Sequence, residues 1–263
     1  MNSVILESAS PGVAIVKISR PQALNALNTE TLLELKEVLT KIAYDTSVRA
    51  VVLTGDGEKA FIAGADIAEM KDMTMAEGVR FSQLGHEATK LLELMPKPTI
   101  AAVNGFALGG GTELAIACDF IIASDKAVFG QPEVGLGIIP GFGGTLRLAK
   151  FVGYPRAKEL IFSGRRVKAE EALRIGLANE IVPAANLMNR ALEVAQDIAS
   201  QSATAVAAAK RLLTEFSESV GLNFKLDSEA QSFGQLLGTA DQREGMTAFI
   251  EKRKPAFVGK QGD

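Results

Sequence analysis

Between Pro98 and Cys118 the chain runs through twenty-one mostly apolar residues that also include Asn104, Glu113 and three consecutive glycines, Gly109-Gly110-Gly111. No other segment restricts the fold as much. It is long enough to cross a bilayer, but a glutamate in mid-span is expensive in lipid. A buried strand, a glycine turn and a buried helix accommodate the same residues without that cost. Such a unit needs other elements on both of its faces, and therefore a sizeable core. With 263 residues, one large domain, or one domain with a small appendage, supplies it.

The flanking segments repeat the alternation of strand and helix. Val13, Ile15 and Lys17 alternate with Ala14, Val16 and Ile18, which predicts a strand between Gly12 and Ser19. Thr29 is placed to cap a helix whose Leu32, Leu35, Leu39 and Ile42 share one face. Ala50 to Leu53 is a β-branched run ended by Gly55. A second helix is expected from Ala76 to Met95, stopped by Pro96-Lys97-Pro98. Thr99 to Val103 and Phe120 to Ala123 read as buried strands with a short helix between them. These elements predict an α/β core with its strands covered on both faces. After about Pro183 the pattern turns helical: Ala184 to Ser200, Ala203 to Ser217, Phe224 to Leu237 and Asp241 to Lys252. The expected division is a core over 1–195 and a helical region over 196–263.

Composition narrows the function classes. Hydrophobic residues at 47% and charged residues at 22% suit a soluble globular enzyme. A net charge of −3 without a long run of one sign argues against a nucleic-acid or anionic-membrane surface. Cys118 is the only cysteine, so no intrachain disulfide and no cysteine-built metal site forms. Met1 to Ser10 has neither a basic n-region nor an apolar h-region. No signal peptide is expected, and the expected compartment is a reducing cytoplasm. The single histidine, His86, reads as a solvated helix residue. There is no Gly-x-Ser-x-Gly elbow, no phosphate-binding loop, no dinucleotide-binding glycine spacing and no His/Asp/Glu metal cluster.

Two glutamates stand in unusual company. Glu113 follows the glycines and Thr112 and precedes Leu114-Ala115-Ile116-Ala117, so it opens an apolar helix. It is either an acid capping that helix or a group placed for chemistry. Glu133 lies among Pro132, Val134, Leu136, Ile138 and Ile139. A carboxylate there is either paired with a cation or held at a raised pKa for proton transfer. Gly110 lets a ligand approach the backbone, and its N–H lies in a first helical turn, where donors are unsatisfied. That is half of an oxyanion hole; the alternative is that the glycines only permit close strand–helix packing. Ala63-Gly64-Ala65-Asp66, after the strand-like Ala60-Phe61-Ile62, can supply the second N–H.

At these residues the chain resembles the enoyl-CoA hydratase/isomerase (crotonase) family. The resemblance runs from Arg20-Pro21-Gln22-Ala23-Leu24-Asn25-Ala26-Leu27 to Gly245-Met246-Thr247-Ala248-Phe249-Ile250-Glu251-Lys252-Arg253-Lys254. Its most specific parts are Ala63-Gly64-Ala65-Asp66, Ala102-Val103-Asn104-Gly105 through Gly109 to Leu114, and Phe129-Gly130-Gln131-Pro132-Glu133. The resemblance implies a crotonase-like spiral of ββα repeats followed by a C-terminal helical trimerisation region. It implies trimers or dimers of trimers, an acyl-CoA thioester substrate, no other cofactor and no metal. Within the family it leans towards short-chain hydratases of the crotonyl-CoA type. These add water reversibly across the C2=C3 double bond of a 2-enoyl-CoA to give the 3-hydroxyacyl-CoA.

Carried over by motif, Glu113 activates the water and Glu133 exchanges a proton with C2. Ala65 and Gly110 donate to the thioester oxygen, and Gly141 lies near the water. Ala23, Leu24 and Ala63-Gly64-Ala65-Asp66-Ile67-Ala68 line the CoA channel. Phe249 and Lys252 reach the nucleotide end of CoA from a neighbouring subunit. One departure is Gln22, where many members carry a lysine that contacts a CoA phosphate. The alternatives are a Δ3–Δ2 enoyl-CoA isomerase, which needs a single acid–base carboxylate, and an RNA-binding member, which the charge disfavours. A Ser-His-Asp protease on the related spiral fold fails for want of a placed histidine.

Overall fold

The structure, a computed structural model, describes residues 3–215 and 239–258. Strands β1 (Val4–Ser10) and β2 (Val13–Ile18) form an antiparallel hairpin. Helix α1 (Thr29–Tyr44) leads to β3 (Ala50–Gly55) and β4 (Ala60–Ile62), then to α2 (Ile67–Met70) and α3 (Met75–Leu94). Next come β5 (Thr99–Val103), β6 (Phe106–Leu108), α4 (Gly110–Ala115), β7 (Phe120–Ser124) and β8 (Val128–Gly130). Helices α5 (Gly144–Val152) and α6 (Tyr154–Ser163), strand β9 (Arg166–Lys168), α7 (Ala169–Arg174) and β10 (Glu180–Val182) follow. Three further helices close the described chain: α8 (Leu187–Ala199), α9 (Ala203–Glu215) and α10 (Ala240–Glu251).

The strands form two sheets. The six-stranded sheet has the order β1-β2-β3-β5-β7-β10, parallel throughout except at β1–β2. The four-stranded sheet has the order β4-β6-β8-β9, parallel except at β8–β9. Each of the pairs β3–β4, β5–β6 and β7–β8 sends its first strand to the larger sheet and its second to the smaller one. The fold is mixed α/β with mainly parallel sheets.

Alternation within the buried strands decides which core each residue joins. Val51, Leu53, Ala101, Val103 and Ile121 face the main core with α1 and α3. Val52, Ile100, Ala102 and Ile122 face the opposite side, which α8 covers with Leu187, Ala191, Ala195 and Ala199. Both faces of β3 and β5 are buried, so these strands read as unbroken apolar runs.

Two boundaries differ from expectation by a residue. Asn28, not Thr29, caps α1, because its Oδ1 accepts from Thr31 N at 2.9 Å. Helix α3 starts at Met75 under a reciprocal cap between Thr74 and Glu77. The segment between β5 and β7 holds a strand, β6, as well as the expected helix. The three-residue strands are too short to carry a period. The helix expected over Phe224 to Leu237 lies outside the described residues.

Candidate active site

The backbone at the end of β6 makes a turn that only glycine enters easily. Gly109 has φ 50 and ψ −122, and a Cβ there would fall 2.7 Å from Glu133 Oε1. The hydroxyl of Thr112 anchors the following helix by donating to Ala107 O at 2.5 Å and accepting from Gly130 N at 3.2 Å. Glu113 thereby enters the interior on the first turn of α4, with 1% of its surface exposed. It is not a cap for its own helix. Its Oε1 accepts from Phe142 N and Gly144 N, each at 2.7 Å, from the loop that enters α5. Burial pushes its carboxyl above the ordinary range. The amides of Gly144 and Phe142, the charge of Arg147 and the Gly141 backbone pull it back.

Glu133 opens a 3-10 turn (Glu133–Leu136) after Pro132 and is 8% exposed. Among the described residues no cation pairs with it. Burial pushes its carboxyl up to about 7, its own backbone amide opposes that, and the nearby charge of Glu113 adds to it. The buried amide of Gln131 spans this carboxylate. With its nitrogen turned to face the oxygens, it donates to Oε1 at 2.9 Å and Oε2 at 3.1 Å.

Ala65 sits opposite Leu27 in a single parallel bridge. Leu27 N donates to Gly64 O and Asp66 N donates to Leu27 O, both at 2.8 Å. In an extended segment successive N–H groups alternate sides, so the Ala65 N–H points away from Leu27. On the far side of Gly64 lies Leu108, next to the Gly109 turn. Gly110 N, in the first turn of α4, has no acceptor within its own helix. The two donors lie on segments that pack together, since a Gly109 Cβ would fall 3.9 Å from Gly64 Cα as well as 2.7 Å from Glu133 Oε1. Together these groups can bind a developing oxyanion and move two protons.

The remaining expected site residues divide into those held near this centre and those away from it. Ala23 ends a 3-10 turn (Pro21–Ala23), and Leu24 after it is left-handed at φ 51. Asn25 pins this loop by donating to Asp56 O and Ala60 O, both at 2.9 Å. Leu24 lines a cleft of about 320 Å³ with Pro21, Asn25 and residues 56–60. Asp66 pairs with Arg20 at 3.1 Å and caps α2 through Ala68 N, which leaves Ile67 and Ala68 exposed. Ala63 donates its N–H to Leu24 O, tying the two segments together. Gly141 lies in the loop that seats Glu113. Lys252, exposed at φ 55 after α10, has no hydrogen bond or ion pair to this centre. The side chain of Phe249 lies outside the described residues.

His86 departs from expectation. It is half-buried, and its ring meets the Gly141 backbone, because α3 packs along the 141–144 loop. Arg147 and Ser82 carried no sequence signal, since each acts through backbone or a salt bridge fixed only in three dimensions. Gln131 stood inside a recognisable motif without an assigned role. Among the described residues no group of histidine, cysteine, aspartate and glutamate is placed to hold a metal, and no helix is long and apolar enough to cross a membrane.

A sequence profile described as enoyl-CoA hydratase/isomerase matches residues 8–260. The chain is 53% identical over 258 residues to the short-chain-enoyl-CoA hydratase of Clostridium acetobutylicum, covering 97% of each protein. It is 47% identical to the crotonyl-CoA hydratase of Syntrophomonas wolfei, covering 98% of each. The crystal structure of an enoyl-CoA hydratase from Bacillus anthracis superposes with a TM-score of 0.95 at 41% identity, over 98% of this chain and 100% of that one. The chain belongs to the enoyl-CoA hydratase/isomerase family.

Proposed function

We propose that this enzyme is a hydro-lyase that adds water reversibly across the C2=C3 double bond of a short-chain 2-enoyl-CoA. The observation that carries the reading is the unequal seating of two buried glutamates around one pair of backbone donors. Glu113 takes a proton from water as the oxygen bonds to C3. The electron pair of the double bond moves through C2 towards the thioester oxygen, which the N–H groups of Ala65 and Gly110 hold. Glu133 delivers a proton to C2. One proton thus leaves Glu133 and one arrives at Glu113, and the pair carries a single proton before and after the step.

No cofactor beyond the CoA thioester enters this scheme. Ala23, Leu24 and Ala63 to Ala68 line the channel, with Gly141 beside the water. The helical region over 196–263 packs subunits of a ββα spiral core into a trimer or dimer of trimers, in which Phe249 and Lys252 meet CoA bound to a neighbour. Exposure of Leu213 at 85% and Ile250 at 78% supports that packing. The compartment is the cytoplasm, and neither nucleic acid nor membrane is a partner.

The test measures hydration of crotonyl-, hexenoyl- and decenoyl-CoA beside isomerisation of a 3-enoyl-CoA. Hydration fastest on crotonyl-CoA, with isomerisation far slower, is expected. Isomerisation without incorporation of water would overturn the reading. Light scattering that gave a fully active monomer would remove the shared CoA site.

A further inference from the structure

The loop that seats Glu113 is itself gripped from its other side by one face of α3. Ser82, Gly85, His86, Thr89 and Glu93 follow one another at helical spacing along that face. Ser82 Oγ donates to Gly141 O at 2.5 Å, and the His86 ring meets the same Gly141 backbone. Thr89 Oγ1 lies within reach of Phe142 O at 3.3 Å and of His86 O in its own helix at 3.1 Å, sharing one proton between them. At Gly85 a Cβ would fall 2.1 Å from the Phe142 ring, so that close approach requires glycine. Glu93 holds Arg147 at 3.0 and 2.8 Å, and Arg147 in turn donates to Phe142 O at 3.0 Å.

The decisive geometry lies within one peptide unit. Gly141 C=O and Phe142 N–H belong to the same planar group and point in opposite directions. Fixing the carbonyl fixes the direction of the amide. The carbonyl is held by Ser82, and the amide donates to Glu113 Oε1 at 2.7 Å. A donor on the carbonyl also polarises the peptide and strengthens the bond made by its N–H.

We propose that Ser82 is a positioning residue for the reaction: its hydroxyl, through the Gly141–Phe142 peptide, holds the amide that seats Glu113. This rests on the reading of Glu113 as the group that activates water. The charged and titratable groups around the seat are Arg147 on α5, Glu133 on its turn, and His86, Lys90 and Glu93 on α3. All of them remain when Ser82 is changed.

The experiment compares Ser82→Ala, Ser82→Thr and Glu113→Gln by kcat, KM and the pH profile of crotonyl-CoA hydration. Losing the tie weakens an amide bond that pulls the Glu113 carboxyl down against burial, so its pKa rises further. Ser82→Ala should lower kcat by about tenfold, the usual scale for one hydrogen bond, with KM nearly unchanged. The acid limb of its profile should move to higher pH, and Ser82→Thr should restore both. A role in folding alone would lower the melting temperature and leave the limb in place, which would overturn the proposal. If Ser82→Ala does not fold, Ser82→Cys keeps the volume with a much poorer donor, and an unmoved acid limb there has the same force. An active Glu113→Gln would remove the underlying reading as well, whereas an inactive one beside an unchanged Ser82→Ala removes only the positioning role.

Discussion

Glu113 and Glu133 are the same residue type, both lie in the interior, and the chain seats them by different means. Glu113 receives two main-chain amides at 2.7 Å on one oxygen and lies in the field of Arg147. Glu133 has its own amide, the rotatable amide of Gln131 and, among the described residues, no cation, and its carboxyl is pushed up to about 7. Burial raises both; two fixed amides and Arg147 oppose it at Glu113, and only its own amide opposes it at Glu133. The difference teaches how one residue type is fitted for two opposite proton transfers. Fixed N–H donors suit the ionised form of Glu113, and their scarcity suits the neutral form of Glu133, as the proposed division of labour requires. Because the pair holds one proton in either direction, hydration and dehydration share one bell-shaped dependence of kcat/KM on pH.

The largest effects come from removing either member. Glu113→Gln and Glu133→Gln should each lose about 100- to 10,000-fold in hydration while still binding CoA thioesters. The double variant should be little worse than the poorer single one, because two groups serving one step are not additive. Steady-state rates on crotonyl-CoA for all three variants check this. Hydration by Glu113→Gln within a few-fold of the unaltered enzyme would erase the division of labour.

Gly110→Pro sharpens the comparison from outside the pair. It removes the N–H proposed to hold the thioester oxygen in both directions, at an expected cost of roughly 100- to 1,000-fold. Unlike the acid variants, it should leave the shape of the pH profile unchanged. A moved limb in Gly110→Pro would mean that Gly110 acts through the carboxyl groups and not on the thioester oxygen.

A smaller effect is expected from Arg147→Met. Arg147 lowers the Glu113 carboxyl and does not figure among the influences on Glu133. Its loss should move only the acid limb, to higher pH, with kcat at the optimum lower by a few-fold. The variant also unpairs Glu93, so melting curves belong beside the kinetics. An alkaline limb that moved with the acid one would show that the two seats are coupled through more than their mutual charge.

Much of this comparison was legible in the chain and some was not. Both acids stood out because an ionisable group in an apolar run is costly to bury. The Gly109 turn stood out because three glycines next to a strand signal a backbone that other residues resist. The buried strands were legible from their unbroken apolar runs. What could not be read was which groups satisfy each acid. The amides of Phe142 and Gly144 lie 29 and 31 residues from Glu113, and an N–H leaves no trace in residue identity. His86 looked solvated because helical spacing around it is polar, yet that same polar face is what α3 turns towards the 141–144 loop. Short strands such as β4 and β6 exist only through their pairing, so three residues gave no period to detect.

The smallest effect is on stability and separates the two seats without turnover. The Glu133 carboxyl is raised from 4.5 to about 7 in the folded chain, so the native state binds that proton more tightly than the unfolded one. At pH 4 both states hold it and it costs nothing. Between about 4.5 and 7 the unfolded chain ionises while the folded chain does not, and stability falls with rising pH until it levels above the folded value. Glu133→Gln cannot ionise and escapes that loss. It should melt above the unaltered protein by about 3 to 6 °C at pH 8, a shift on the scale of one or two kcal/mol after allowing for water at the site. At pH 4.5 the gain should vanish. Burial raises the Glu113 carboxyl as well, so Glu113→Gln escapes a loss of the same sign at pH 8, but its two amides then keep only a neutral acceptor and the gain should be smaller. Melting curves of both variants at the two pH values decide it. Equal gains for Glu113→Gln and Glu133→Gln at pH 8 would mean that the amides of Phe142 and Gly144 do not offset burial, and the contrast between the two seats would collapse.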